Sequence, residues 1–215
     1  MKNHLNDTNI IKLFENTISE YVGTKYGVSV SSNTNGIFLA LKYLIHSEKL
    51  KEGDTIDVPK RTFISIPMSI INANLKIRFK NIQWNGFYRL RPTNIYDSAA
   101  SFFRNMCADY PDSMFVLSFQ YRKSLPIGRG GMIMTNDKKA YDYLTKARFN
   151  GRSITNREPR IIGWNMYMAP EQAARGLTLF DSMDLSNSKI TNTKYSIGSS
   201  LYDNISPWKI WNNYK

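Results

Sequence analysis

The sequence predicts an α/β domain: a mostly parallel sheet flanked by helices. Two observations carry that expectation. Strand-like and helix-like segments alternate along the chain, the order that builds a largely parallel sheet under helical layers. Several strand-like runs also end in short polar turns before a helical stretch begins, which is where such sheets bind ligands.

Taken in order, Tyr26-Gly-Val-Ser-Val-Ser is β-branched enough for a first strand. It passes through Ser32-Asn-Thr-Asn-Gly into Ile37-Phe-Leu-Ala-Leu-Lys-Tyr-Leu-Ile, whose length suits a helix with a buried face. Thr55-Ile-Asp-Val is a second strand, stopped by Pro59, and Thr62 is placed to cap a helix from Phe63 to Ala73. Lys76 to Phe79 forms a short third strand. Asn94-Ile-Tyr leads to Asp97 and a small-residue helix start, Ser98-Ala-Ala-Ser. Met114-Phe-Val-Leu-Ser-Phe reads as a buried strand and Gly131-Met-Ile-Met-Thr as another, with Asn136-Asp137 opening a helix that reaches about Phe149. A loop rich in Arg, Asn and Thr runs from Gly151 to Pro159, and a further helix begins near Pro170, a suitable first-turn residue. From about Leu185 the chain turns Ser/Asn/Lys-rich, so the expected division is an α/β domain over 1–184 and a C-terminal extension over 185–215.

A chain of 215 residues can bury one substantial core, and 42% hydrophobic with 21% charged residues is ordinary for a globular protein. No apolar run approaches the roughly 20 residues of a membrane span. The opening MKNHLNDTN lacks the apolar stretch of a signal peptide, so the expected location is the cytoplasm. Cys107 is the single cysteine, which excludes an internal disulfide, and with two histidines no metal site is expected. The net charge of +12 has two readings: phosphate contacts to a nucleic acid, or attraction of a smaller anionic ligand. The bases are spread along the chain without a nucleic-acid-binding motif, which ranks the first reading last.

The side chains that follow the strands are the informative ones. Asn33 and Thr34 stand at a strand-to-helix turn, where free N–H groups can face a phosphate, although an Asn-rich turn with a helix cap explains them too. Phe63 offers a flat apolar surface for a ring, or a core side chain. Asp97 suits a carboxylate paired with a protonated pyridine nitrogen, or a cap for the Ser98 segment. Lys123 is either a solvated charge or, beside an apolar wall and the glycines of Gly128-Arg-Gly-Gly, an amine of lowered pKa suited to Schiff-base chemistry. Ser118, at a strand end, offers a second phosphate contact. In this order the set suits an aromatic, phosphorylated, aldehyde-bearing cofactor.

These residues sit in motifs that resemble the DegT/DnrJ/EryC1/StrS sugar aminotransferases, fold type I pyridoxal-phosphate enzymes. The resemblance runs from about Phe14 to about Phe180. Ser32-Asn-Thr stands where the family has Ser-Gly-Thr, and Gly53-Asp-Thr-Ile-Asp-Val-Pro-Lys-Arg-Thr-Phe resembles its second-strand motif. Asp97-Ser-Ala-Ala is similar to its Asp-Ala-Ala block, and Ser118-Phe followed by Lys123, Gly130-Gly131 and Thr135-Asn-Asp to its lysine block. Gly163-Trp-Asn-Met-Tyr-Met with Glu171-Gln-Ala-Ala resembles its Gly-x-Asn-Tyr-Arg-Met and Gln-Ala-Ala segments.

The resemblance implies pyridoxal 5'-phosphate, linked covalently to Lys123, which would also shuttle the proton. It implies Asp97 on the pyridine nitrogen, Phe63 against the ring, and Asn33, Thr34 and Ser118 on the phosphate. It implies a homodimer in which Asn165 reaches the phosphate of the neighbouring subunit. The activity implied is transfer of an amino group from an amino acid, glutamate being the expected donor, to a nucleotide-linked keto-sugar. Relatives with histidine for the lysine are dehydratases, so Lys123 points to amino transfer. The departures are that most of the C-terminal small domain is absent and that Gln83-Trp-Asn-Gly-Phe-Tyr-Arg-Leu replaces a βα unit. Ala100 stands where Gln or His is usual, and Tyr167 where Arg is usual. The alternative readings are a relative that keeps the cofactor without turnover and, last, a basic nucleic-acid-binding protein.

Overall fold

The computed structural model describes residues 4–183 and 198–215. It runs α1 (His4–Val22), β1 (Tyr26–Val30), α2 (Asn33–His46), β2 (Thr55–Pro59), α3 (Ser65–Asn72), β3 (Lys76–Lys80), β4 (Tyr88–Arg89), β5 (Ile95–Asp97), β6 (Met114–Ser118), β7 (Gly131–Thr135), α4 (Lys138–Ala147) and α5 (Pro170–Asp181). Short 3₁₀ turns follow at Ser199–Leu201 and Lys209–Trp211. The sheet has the order β1-β7-β6-β5-β4, and β2 and β3 form a separate parallel pair.

The α/β class, with helices flanking a sheet, is as expected, but among the described residues the five-stranded sheet is mixed rather than mostly parallel, β5–β6 being its one parallel pairing. β5 and β6 are parallel, while β7 runs antiparallel to both β6 and β1, so β1, β5 and β6 share one direction. β4 runs against β5. The carboxyl ends of β1, β5 and β6 therefore meet the start of β7 on one edge of the sheet. Register fixes this: Gly131 is opposite Val30 on one side and Ser118 on the other.

Strands buried on both faces need a helical layer on each. Alternation along β6 sends Val116 into one core and Phe115 and Leu117 into the other; on β7, Ile133 and the pair Met132 and Met134 divide the same way. The first core gathers Ile37, Leu41, Ile66, Ile70, Ala140 and Leu144 from α2, α3 and α4. The second gathers Phe14, Ile18, Ala173 and Phe180 from α1 and α5. Gly36 lets α2 lie close on the sheet, since a Cβ there would meet Val116 Cγ1 at 2.5 Å. Across the layers, Arg148 Nη1 donates to Glu15 Oε1 and to Ser29 O at 2.6 Å, so the buried Glu15 carboxylate is paired, as burial of a charge requires.

Two local expectations need correction. Thr62 does not cap α3, whose N-cap is Ile64 with no side-chain bond; its buried hydroxyl meets the Tyr88 hydroxyl at 2.5 Å instead. No helix starts at Ser98, where the chain makes a turn. Both the amide (3.1 Å) and hydroxyl (3.0 Å) of Ser98 donate to Val116 O, which holds that backbone against β6. The cap at Asp137 is as expected, its carboxylate accepting from the N–H groups of Lys139 and Ala140.

Residues 198–215 pack on the domain. Trp211 is fully buried and Ile205 nearly so, both in the first core. Arg61 Nη1 donates to Tyr202 O at 2.7 Å, and Ser199 Oγ to Gln83 Oε1 at 2.6 Å. The expected extension begins at 185, and its residues up to 197 lie outside the described residues. No described helix is long and apolar enough to cross a membrane.

Candidate active site

The shared edge of β1, β5 and β6 opens into a cavity of about 450 Å³, within the range of roughly 300–1,000 Å³ typical of small-molecule sites. Its lining includes Asn33, Thr34, Phe63, Asp97, Ser118 and Lys123, so the strand-end residues picked from the sequence converge in one place. Ala100 lines it as well.

The first turn of α2 forms one wall. Ser32, the N-cap, accepts from the Asn35 N–H, and Asn33 and Thr34 are the first two helical residues. Their own N–H groups have no partner among the described residues, as expected where the helix has no earlier carbonyl to offer. Unfilled donors at the positive end of a helix dipole are suited to an anion. The start of β7 comes close behind them: a Cβ on Gly131 would lie 2.6 Å from the Asn33 nitrogen. Ser118 stands across the same edge with its hydroxyl unpaired among the described residues.

Asp97 ends β5 and is buried. Its Oδ1 accepts from Asn33 Nδ2 at 3.2 Å and from the Ala99 N–H at 3.1 Å, and its Oδ2 from the Tyr88 hydroxyl at 2.8 Å. Burial pushes its carboxyl above the ordinary range; the hydrogen bonds from Tyr88, Ala99 and Asn33 and the charge of Lys123 oppose that rise. A carboxylate held this way is placed to pair with a protonated ring nitrogen.

Lys123 is carried by a loop after β6 that is pinned at several points. Phe119 N–H donates to Gly130 O at 2.9 Å, Gly128 N–H to Phe119 O at 3.2 Å, and Lys123 N–H to Gln120 O at 2.8 Å. Leu125 and Ile127 anchor the loop in the second core. Gly130 lies at φ +153°, and a Cβ there would meet Met168 Cε at 2.7 Å, so this turn needs glycine. Burial lowers the amine pKa of Lys123, with the charge of Asp97 acting in the opposite direction. A larger neutral fraction makes the amine a better nucleophile toward an aldehyde.

Phe63 is 58% exposed although it is a large apolar residue, and the surface it shows lines the cavity. That leaves a flat face free to stack on a ring. Asn165 lies outside the cavity: it is exposed and bridged to Phe149, in a segment whose neighbour Met166 accepts from the Ser31 N–H at 2.9 Å. Tyr167 pairs with Val30 and packs its ring on Phe149.

Several lining residues escaped the sequence reading. Tyr88 and Trp84 come from the short segment before β5, Leu201 and Tyr202 from the C-terminal stretch, and Arg122 and Arg129 from the Lys123 loop. The only signal for the aromatics was their density in two segments of otherwise weak pattern. Among the described residues no cluster of His, Cys, Asp or Glu could hold a metal ion.

Comparison with known proteins is consistent with this geometry. The sequence profile described as the DegT/DnrJ/EryC1/StrS aminotransferase family matches residues 2–96 and 106–202. Asp97 falls between the two matched segments, so its place in the site rests on the structure. GDP-perosamine synthase of Escherichia coli O157:H7 is 24% identical over 82% of this chain and 58% of its own length. Among solved structures, AtS13 from Actinomadura melliaura superposes with a TM-score of 0.70 at 20% identity, over 80% of this chain and 60% of that one. GDP-4-keto-6-deoxy-D-mannose-3-dehydratase of E. coli, with bound hydrated pyridoxal phosphate, gives 0.66 at 20% identity over the same 80% and 60%. The chain thus spans about 60% of the length of these relatives. With the profile covering most of its length and the fold shared, the chain belongs to the DegT/DnrJ/EryC1/StrS aminotransferase family.

Proposed function

We propose that this protein binds pyridoxal 5'-phosphate at the β1/β5/β6 edge and, as a homodimer, transfers an amino group from an amino acid, glutamate, to a nucleotide-linked keto-sugar. The observation that carries the reading is the convergence of Lys123, Asp97 and the unfilled N–H groups of α2 on one cavity. The residues fit the group: unpaired donors for a phosphate, an exposed Phe63 face for a ring, a held carboxylate for a ring nitrogen and a partly desolvated amine for an aldehyde.

When bound, pyridoxal phosphate supplies an electron sink for the carbanion formed at the donor's α-carbon. The chain's own residues do the rest. The Asn33 and Thr34 N–H groups, the Thr34 hydroxyl and Ser118 hold the phosphate and set the register. Phe63 covers a ring face and excludes water from it. Asp97 keeps the ring nitrogen protonated. The Lys123 amine, once free, would take the proton from the donor's α-carbon and deliver it to the carbon that carried the cofactor's aldehyde, and the keto-sugar half of the exchange would run the same transfer in reverse. Asn165, exposed next to Met166, whose carbonyl accepts from the Ser31 N–H, is available to a neighbouring copy. Support for the sugar class comes from the relatives named above, one a GDP-perosamine synthase and one a GDP-4-keto-6-deoxy-D-mannose dehydratase; Lys123, rather than the histidine of dehydratases, supports amino transfer.

Adding pyridoxal phosphate to the purified chain is expected to give a visible absorbance band that decays on addition of glutamate and is lacking in Lys123→Ala. A band that no amino donor alters would leave cofactor binding without turnover. An identical band in Lys123→Ala would refute the assignment.

A further inference from the structure

Asp97 is held by more donors than a ring-nitrogen partner needs, and the way they divide between its oxygens is informative. An ionised carboxylate accepts only, with about two acceptor sites on each oxygen. Oδ1 already takes two donors, Asn33 Nδ2 and the Ala99 N–H. Oδ2 takes one, the Tyr88 hydroxyl at 2.8 Å, which leaves Oδ2 with the remaining acceptor site. The Tyr88 hydroxyl has a single proton, and it is spent on Asp97. Thr62 Oγ1, 2.5 Å from the same phenol oxygen, must then be the donor in that contact. The result is a directed chain, Thr62 to Tyr88 to Asp97, whose members are 2%, 6% and 6% exposed.

We propose that Tyr88, oriented by Thr62, is a positioning residue that fixes the Asp97 carboxylate and keeps one acceptor site, on Oδ2, open for a protonated ring nitrogen. The last clause rests on the cofactor reading above; the relay itself does not. A phenylalanine would fill the same space against Trp84, whose ring lies 4.8 Å from that of Tyr88, so packing alone does not call for the hydroxyl. Burying a hydroxyl costs free energy unless it is bonded, and here both of its bonds lead along the chain to Asp97. Of the contacts that oppose the effect of burial on Asp97, the Tyr88 hydrogen bond is the largest. Lys123 and Tyr202 are the other titratable groups whose charges couple to Asp97, from the β6 loop and the C-terminal stretch.

The test is a carbon-13 NMR titration of aspartate-labelled, unloaded full chain, with the Asp97 signal assigned through Asp97→Asn. Tyr88→Phe is expected to raise the Asp97 midpoint, Thr62→Val to raise it by less, and Thr62→Ser to leave it where it was. Should Tyr88→Phe fail to fold, the Thr62 pair decides. A midpoint unmoved by Tyr88→Phe, or by Thr62→Val where that variant alone folds, overturns the proposal. Pyridoxal phosphate is then added: the Tyr88→Phe chain is expected to bind it about tenfold more weakly, the loss of one hydrogen bond to a charged group. Moved midpoints in a chain that gives no visible band would uphold the relay and sink the cofactor reading. A band with unmoved midpoints would do the reverse.

Discussion

The side-chain amide of Asn33 donates to Asp97 Oδ1 across 3.2 Å and to Val116 O across 2.8 Å, tying the first residue of α2 to the last residue of β5 and to β6. The start of α2, with its unfilled N–H groups, and the buried carboxylate are thereby one mechanical unit. The sequence offers Asn33 either as a phosphate residue or as part of a capped turn; in the fold its backbone N–H has no partner among the described residues, while its side chain serves Asp97.

Asn33→Ala is therefore expected to act on both functions. It removes a donor from a buried carboxylate and should cost about 1–3 kcal/mol of stability in urea unfolding. It should also weaken pyridoxal phosphate binding, because α2 loses its tie to β5. Tighter or unchanged binding by the variant would show that the two walls are independent.

Lys123 gives a pH prediction for the unloaded chain. Its folded-state pKa lies below the ordinary lysine value because of burial, so the folded state binds fewer protons than the unfolded state at pH values between the two. The penalty is fully present below the folded pKa and fades as pH rises toward the unfolded value. Lys123→Met should thus be more stable than the parent at neutral pH, with the gap closing as pH is raised toward the lysine range. Thermal melts of both chains across pH would check this, and a gap that widens with pH would contradict it.

At Gly131, an added Cβ would meet backbone on two sides: Asn33 N and Ser32 C at 2.6 Å, and Leu117 O at 2.9 Å. None of these can rotate away. Gly131→Ala is expected to cost about 1–3 kcal/mol and to displace the start of α2, lowering both melting temperature and cofactor affinity.

The C-terminal stretch is tied down by Trp211, fully buried with its indole N–H donating to Ile205 O at 2.8 Å. Trp211→Ala should cost about 3–5 kcal/mol. Because the same stretch brings Leu201 and Tyr202 to the cavity, the variant should also show weaker cofactor binding. A folded variant with unchanged affinity would mean that this wall does not matter to the ligand.

Much of the layout was legible in the sequence, for a physical reason. β1, β6 and β7 are buried on both faces or nearly so, and such strands must be written as apolar or β-branched runs, which stand out. Asp137 and Pro170 mark helix starts because a first turn needs an acceptor or a missing N–H. The convergence of Thr34, Phe63, Asp97 and Lys123 was readable because ligands in such sheets sit beyond strand ends. What stayed hidden depends on contacts distant in sequence. Thr62 looked like a helix cap until Tyr88, 26 residues away, took its hydroxyl. Ser98 to Ser101 looked helical until Val116 O, 18 residues from Ser98, held that turn on the sheet. Tyr88, in a two-residue strand, and Tyr202, near a 3₁₀ turn, belong to pieces too short for any periodicity.

The proposed function stands on the Lys123 amine joining the cofactor aldehyde. Borohydride reduction of the chain after incubation with pyridoxal phosphate, followed by proteolysis and mass spectrometry, tests it directly. One dominant pyridoxyl-phosphate adduct is expected, on the peptide that carries Lys123. Adducts scattered over surface lysines, with Lys123 unmodified, would contradict it.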